Sequence, residues 1–219
     1  MKDDVLKRRL REALGHAWCD QNETVLASLI WFLEQLVLWN RAYALTTLTC
    51  ETDMVDRHVM DSLSVLPMFS ASSVFDVGSG AGFPGIPLAL FDCSRRYILV
   101  ESNGKKVRFL NHVVSHLRLD HVEVRNARIE SLPPCDDSAD VDLVCRALAP
   151  LPQAALLCRK WIDAGSKLWW MGGRRNQAAV VCSIPGLRIA EVHEVQLPGI
   201  DAQRHLVCVE SEAPLSGVH

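Results

Sequence analysis

Between Val74 and Leu90 an apolar run gives way to glycines and then resumes: Val74-Phe-Asp-Val-Gly-Ser-Gly-Ala-Gly-Phe-Pro-Gly-Ile-Pro-Leu-Ala-Leu90. Val74, Phe75 and Val77 read as a short buried strand, and Pro84 to Leu90 as the start of an apolar helix. Gly78, Gly80 and Gly82 let the backbone turn tightly and approach a ligand with no Cβ in the way. The helix that follows is expected to aim its first N–H groups at the same point. A strand, a glycine loop and a helix in this order make the opening unit of a parallel α/β sheet, with a nucleotide-type cofactor at the strand's carboxyl end.

The glycine spacing does not choose the cofactor, because Gly80, Gly82 and Gly85 also satisfy G-x-G-x-x-G, the dinucleotide fingerprint. Asp76 does choose. It stands two residues before Gly78, where a carboxylate repels a pyrophosphate but suits a ligand carrying an ammonium and a sulfonium. S-adenosylmethionine carries both. Tyr97-Ile-Leu-Val-Glu101 then reads as a second strand ending in a carboxylate, and Glu101 is placed to accept hydrogen bonds from a ribose diol. A dinucleotide enzyme would use the same group, so Glu101 supports the nucleoside half only.

Beyond this unit, strands expected near 74–77, 97–101, 122–125, 141–145 and 166–171 alternate with helices near 85–91, 104–118, 152–162 and 174–181. That alternation implies a parallel sheet with right-handed crossovers. The apolar stretches 187–197 and 205–210 are joined by Pro198-Gly-Ile-Asp-Ala-Gln203 and Arg204, too few residues for a helical crossover, so the last two strands should be antiparallel. The expected fold is α/β: the Rossmann-like class I methyltransferase form, a mostly parallel seven-stranded sheet with a terminal antiparallel strand. Residues 1–68 show no strand. They read as an N-terminal helical extension, before a cofactor domain over 69–219 that opens on the polar joint Ser70-Ala-Ser-Ser73. In the extension, Leu6, Leu10, Ala13, Leu14 and Ala17 mark one helix, and Asp20 or Asn22 can cap a second. A third runs from about Glu51 to Leu66 and stops at Pro67.

With 219 residues, 49% of them apolar, the chain can bury one medium domain and its extension. No apolar run approaches membrane-spanning length and the N-terminus has no apolar signal core, so a cytoplasmic protein is expected. The eight cysteines are scattered without a C-x-x-C, so neither a metal site nor disulfides are expected. A formal net charge of -3 argues against a uniformly basic surface. Local clusters still occur at Lys7, Arg8, Arg9 and Arg11, at Lys105, Lys106 and Arg108, at Arg125 and Arg128, and at Arg174 and Arg175.

Taken together, several segments resemble one known family along nearly the whole chain. They are Trp39-Asn-Arg-Ala-Tyr43 followed by Leu45-Thr46, Arg57-His-Val-Met-Asp-Ser62, Asp76 to Pro87, Gly104-Lys-Lys-Val-Arg-Phe-Leu110, Arg128-Ile-Glu130, Cys145-Arg-Ala147 and Arg204-His-Leu-Val207. The chain resembles the GidB/RsmG family, bacterial methyltransferases acting on ring nitrogen 7 of a guanine in small-subunit (16S) ribosomal RNA. The resemblance implies a cofactor site in which Gly78, Gly80 and Phe83 wrap the methionine and ribose, Glu101 holds the ribose, and Ile129 and Glu130 flank the adenine. It implies that Arg146 lies beside both cofactor and target base, as the one catalytic residue. Arg57, Lys105, Lys106, Arg108, Arg174 and Arg175 are the basic residues expected at the RNA, within the small subunit or its precursor, and the protein is expected to act as a monomer.

Two positions depart from the family pattern. Ala44 stands where the family commonly has Asn, and Met171 where many members have Lys, which shifts an expected phosphate contact to Arg174 and Arg175. The chain has no Asn/Asp-Pro-Pro-Tyr/Phe after the fourth strand, the feature of exocyclic-amine methyltransferases, and no cysteine pair for pyrimidine carbon 5. Trp39, Trp169 and Trp170 are candidate stacking platforms, with core packing the stronger expectation. His58 and Asp61, one turn apart, suit either a structural pair or a substrate contact. A small-molecule methyltransferase on the same fold and a cofactor-binding ribosome assembly factor remain alternatives.

Overall fold

The computed structural model describes residues 2–47, 51–134, 138–172, 184–196 and 204–212. Its centre is a seven-stranded sheet in the order β3-β2-β1-β4-β5-β7-β6. The strands are β1 (Ser73–Val77), β2 (Arg96–Glu101), β3 (Val122–Asn126), β4 (Val141–Arg146), β5 (Lys167–Gly172), β6 (Leu187–Val195) and β7 (Arg204–Ser211). β1 to β5 pair in parallel, and β7 inserts antiparallel between β5 and β6. Strand order reverses between β1 and β4, which places a ligand crevice at their carboxyl ends. The helix expected at 174–181, with Arg174 and Arg175, lies outside the described residues.

Period-two alternation sorts the strand side chains onto two faces. Val74, Leu99, Val144, Trp169, Met171, Leu206 and Cys208 share one core with the extension. Phe75, Val77, Ile98, Val100, Leu143, Cys145, Leu168, Trp170, Val207 and Val209 share the other, with α8 (Leu151–Leu157) and α9 (Arg159–Asp163). Trp169 and Trp170 are buried in these two cores and Trp170 Nε1 donates to the Ala149 carbonyl at 3.1 Å, so neither is a stacking platform. The first face is covered by α6 (Gly85–Phe91), α7 (Gly104–Leu117) and the extension, whose α3 (Glu23–Tyr43) packs against both. Leu6 and Leu10 belong to the same core as Leu99 and Phe109, so extension and sheet bury apolar surface jointly. The joint between them is pinned: Ser70 and Ala71 N–H donate to Asp142 Oδ2 at 2.8 and 3.0 Å, and Ser72 N–H to Asp140 Oδ1 at 2.8 Å.

The extension departs from its sequence reading in three places. Gly15, at φ 90°, splits the first helix into α1 (Lys2–Leu14) and α2 (His16–Gln21). Asn22 precedes α3 but does not cap it with its side chain; its Nδ2 donates back to the Trp18 carbonyl at 2.9 Å, closing α2. The third helix is α4 (Glu51–Met54), a π-helical turn over Val55–Met60 and α5 (Asp61–Leu63). Such widened turns re-aim side chains and recur at functional sites.

Ala44 ends α3 in the left-handed conformation, φ 49° and ψ 53°. Glycine and asparagine take that conformation far more readily than alanine. An asparagine at this position would end the helix at less cost, and this chain carries the strain of an alanine there. Ala44→Gly should raise stability by about 1 kcal/mol in denaturant titrations.

Candidate active site

A cavity of about 490 Å³ opens at the carboxyl ends of β1 to β4, within the range of small-molecule sites. Val77 and Gly78 from β1, Val100 to Ser102 from β2, Ala127 to Glu130 after β3 and Ala147 to Pro150 after β4 line it, with Lys106 of α7. Gly78, at φ 75°, forms part of the wall; a Cβ built there would lie 2.7 Å from Leu148 Cδ1. Glu101 is buried on the wall, its Oε2 accepting the Gly80 N–H at 2.9 Å and its Oε1 the Asn103 N–H at 2.8 Å. Each oxygen keeps a second lone pair.

The loop's own donors face inward. Gly78 and Ser79 N–H reach the Val100 carbonyl at 2.8 and 3.1 Å, Gly82 and Phe83 N–H the Ser79 carbonyl at 2.8 and 3.1 Å, and Ile86 N–H the Gly82 carbonyl at 2.8 Å. Gly85 N–H donates to Asp76 Oδ2 at 3.0 Å. The helix N–H groups expected to point at a ligand are therefore already paired, and the loop presents none of the donor nest that binds a pyrophosphate. A nucleoside cofactor without phosphates fits this wall, and S-adenosylmethionine is such a group. Asp76 has a different post from the one expected. It lies fully buried beneath the loop, off the cavity wall, and burial pushes its carboxyl up to about 7.

A second cluster gathers around Arg146 at the end of β4, whose side chain is 15% exposed. Its Nε lies 3.4 Å from Asp61 Oδ2, its Nη1 donates to the His58 carbonyl at 3.3 Å, and its Nη2 to His58 Nδ1. The guanidinium sits 5.8 Å from the centre of the Phe83 ring, on which His58 stacks at 4.5 Å. Arg204 Nε approaches the other Asp61 oxygen at 3.6 Å, and Thr46 Oγ1 lies 3.3 Å from His58 Nε2. His58 and Asp61, read from sequence as a pair or a substrate contact, both turn to Arg146. Burial and the Arg146 charge push the His58 imidazole down to about 3, so it is neutral.

A family model for GidB, rRNA small subunit methyltransferase G, matches residues 25–207. The Ribosomal RNA small subunit methyltransferase G of Marinobacter nauticus is 36% identical over 92% of this chain and 93% of its own length. That of Xanthomonas campestris pv. campestris is 38% identical over 85% and 87%. The chain belongs to the GidB family. The fold is also that of magnesium protoporphyrin IX methyltransferase from Synechocystis PCC 6803, solved with bound SAM (TM-score 0.56, 16% identity, 79% and 89% coverage).

In this GidB protein the structure divides the expected site residues. Gly78, Glu101, Ile129 and Glu130 meet on the cavity wall, and Gly80 is held to it through Glu101. Phe83 and Arg146 belong to the second cluster. Lys106, expected at the RNA, lines the cavity, whereas Lys105 and Arg108 are exposed on α7, and Arg57 pairs with Asp53 at 3.8 Å. Thr46 and Arg204 stood in recognised motifs, but the sequence held no sign that they, His58 and Asp61 converge on Arg146. Among the described residues no three His, Cys, Asp or Glu side chains converge as a metal site.

Gly78→Val places a branched side chain against Leu148 at a positive φ; calorimetry should show S-adenosylmethionine binding lost, with the melting transition still cooperative. His58 yields a pH test. Its folded pKa lies below the unfolded value of 6.5, so its contribution is complete above pH 6.5 and is lost as pH falls toward about 3. The stability gap between wild type and His58→Asn should therefore shrink between pH 7 and pH 4.

Proposed function

We propose that this protein transfers a methyl group from S-adenosylmethionine to ring nitrogen 7 of one guanine in 16S ribosomal RNA, in the small subunit or its precursor. Membership in the GidB family carries the activity and the substrate class. The reading includes a monomer working in the cytoplasm. Among the described residues no helix is long and apolar enough to cross a membrane.

When bound, S-adenosylmethionine supplies a methyl group on a sulfonium already activated for displacement by a lone pair. Glu101 would hold the ribose hydroxyls with its remaining lone pairs, Ile129 and Glu130 would flank the adenine, and Gly78 leaves room for the cofactor to approach. Arg146 has three of its five N–H groups engaged by Asp61 and His58, which fixes the plane of the guanidinium and leaves two donors for the guanine carbonyl oxygen or a phosphate. Phe83 and His58, stacked beside it, exclude water from that corner. Guanine nitrogen 7 presents its lone pair without losing a proton, so positioning is what the protein must provide.

Incubation with methyl-labelled cofactor and small subunits, followed by mass spectrometry of digested 16S rRNA, should place the label in 7-methylguanine at one position. Label in an exocyclic amine or a pyrimidine would refute the assignment. Arg146→Lys keeps the charge but loses the planar fork; turnover should fall about 10²-fold with RNA affinity little changed.

A further inference from the structure

On the outer side of the extension, α3 and α7 lie together, α3 carrying a stripe of aromatic rings and one amide and α7 a stripe of one arginine and two imidazoles, both at four-residue spacing. On α3 the stripe is Trp31, Gln35, Trp39 and Tyr43; on α7 it is Arg108, His112 and His116. The stripes mesh rung by rung. Arg108 lies 5.9 Å from the Tyr43 ring centre, Trp39 faces His112 at 5.3 Å, and Trp31 stacks on His116 at 3.8 Å. Gln35 Oε1 lies 3.3 Å from His112 Nε2. Tyr43, Arg108 and His116 are exposed, and the other members are half-buried. The inner faces of the same helices pack with Leu29, Phe32, Leu33, Phe109, Leu110 and Val113; Trp31 and Trp39 pack partly against that core, while Tyr43, Arg108 and His116 stand outside it.

The charge on this seam is unbalanced. α7 carries Lys105, Lys106, Arg108, His112 and His116 and no carboxylate, in a chain whose formal net charge is -3. Among the described residues Lys105, Lys106 and Arg108 form no ion pair. The basic cluster on α1 is the opposite case: Arg8 and Arg9 reach Glu12, Arg9 also pairs with Asp56 at 2.7 Å, and Arg11 pairs with Asp20. The seam also starts at the active site. Lys106 lines the cavity two residues before the Arg108 of the Tyr43–Arg108 rung, and Tyr43 precedes by three residues the Thr46 that meets His58.

We propose that the α3–α7 seam is the surface along which the RNA strand leading to the target guanine lies, its bases against the Tyr43 and Trp39 rings and its phosphates on Lys105 and Arg108. This rests on the rRNA methyltransferase reading above and adds to it a path. Amphipathic rings interleaved with cations are what an unpaired strand requires, because every base has a π-face and every step a phosphate. From Tyr43 to Trp31 the helix rises about 18 Å, the length of roughly five nucleotides of stacked strand.

The test measures full-length protein binding to transcribed 16S rRNA across a salt series, with cofactor binding and melting temperature followed in parallel. Removing Lys105 and Arg108 together (Lys105→Ala, Arg108→Ala) should reduce the slope of log affinity against log salt by about 1.4, two phosphates on a single strand. Tyr43→Ala should weaken binding roughly ten-fold with the slope unchanged. The matched α1 pair, Arg8→Ala with Arg11→Ala, should leave both at wild-type values. Seam variants that keep wild-type affinity and slope would overturn the proposal, even while the wild type still forms 7-methylguanine. Normal binding to naked rRNA combined with lost turnover on assembled subunits would also overturn it, by making the seam a dock for ribosomal protein. If the wild type places no label in 16S rRNA at all, it is the underlying reading that fails.

Discussion

Two carboxylates at the ends of adjacent parallel strands hold the glycine loop in place, and the cofactor site proposed above depends on them. Asp76 of β1 takes the N–H of Gly85 and Glu101 of β2 takes the N–H of Gly80, while the Val100 carbonyl takes those of Gly78 and Ser79. A segment so rich in glycine has few side chains with which to fix its own shape, so four of its N–H groups, those of Gly78, Ser79, Gly80 and Gly85, are paired from the strands. Because the partners lie in the sheet, the loop closes back on β2 and shows a ligand carbon and carbonyl surface rather than donors. That geometry separates a sulfonium nucleoside from a dinucleotide more firmly than the glycine spacing does. Glu101 also takes the N–H of Asn103, whose own side chain caps α7 at Lys105, so a single carboxylate sets both the loop and the start of the helix bearing the basic stripe.

The extension completes the other half of the site. Thr46, His58 and Asp61 all come from it, and together they hold Arg146 and Phe83, which come from the sheet domain. Two arginines share Asp61, and burial raises that carboxyl while both guanidinium charges pull it down. Breaking a buried arrangement of this kind is far more costly than the arrangement's net contribution to folding, so its value is in geometry. The π turn at Val55–Met60 helps, because it brings the carbonyl and the ring of one residue, His58, to two nitrogens of the same guanidinium. The extension is thus structurally part of the Arg146 cluster, the active centre proposed above, as well as a neighbour of the proposed RNA-binding face.

Much of the fold was legible because its signals are local. The alternation of apolar strands with helices located all seven strands within about two residues, and the six-residue connection before Arg204 forced the antiparallel ending. The wall residues Gly78, Glu101, Ile129 and Glu130 were legible for the same reason: each follows directly on a strand end. What sequence did not reveal was long-range. Whether Asp76 would face a ligand or a backbone N–H nine residues on depends on how the loop folds over it. That His58 and Asp61 serve Arg146, more than eighty residues away, depends on where the extension docks. The meshing of α3 and α7 into rungs likewise depends on the two helices lying side by side, which no local signal reports.

The chemistry of the Arg146 cluster bears on which atom of guanine can react. Methylating an exocyclic amine requires a group that takes a proton as the bond forms, with a pKa matched to the working pH. The imidazole beside Arg146 is His58, and it is a poor candidate. Its pKa is pushed down to about 3, its Nδ1 already accepts from the guanidinium, and its Nε2 lies against Thr46. Arg146 itself takes no proton, being fully charged at any physiological pH. Asp61 is shared between two cations, one at each carboxylate oxygen, so its lone pairs are engaged by them. A site furnished in this way can orient a nucleophile and dry its surroundings but has no ready acceptor for its proton. Ring nitrogen 7 of guanine is the position that asks for no more, since its lone pair lies in the ring plane and carries no hydrogen to lose.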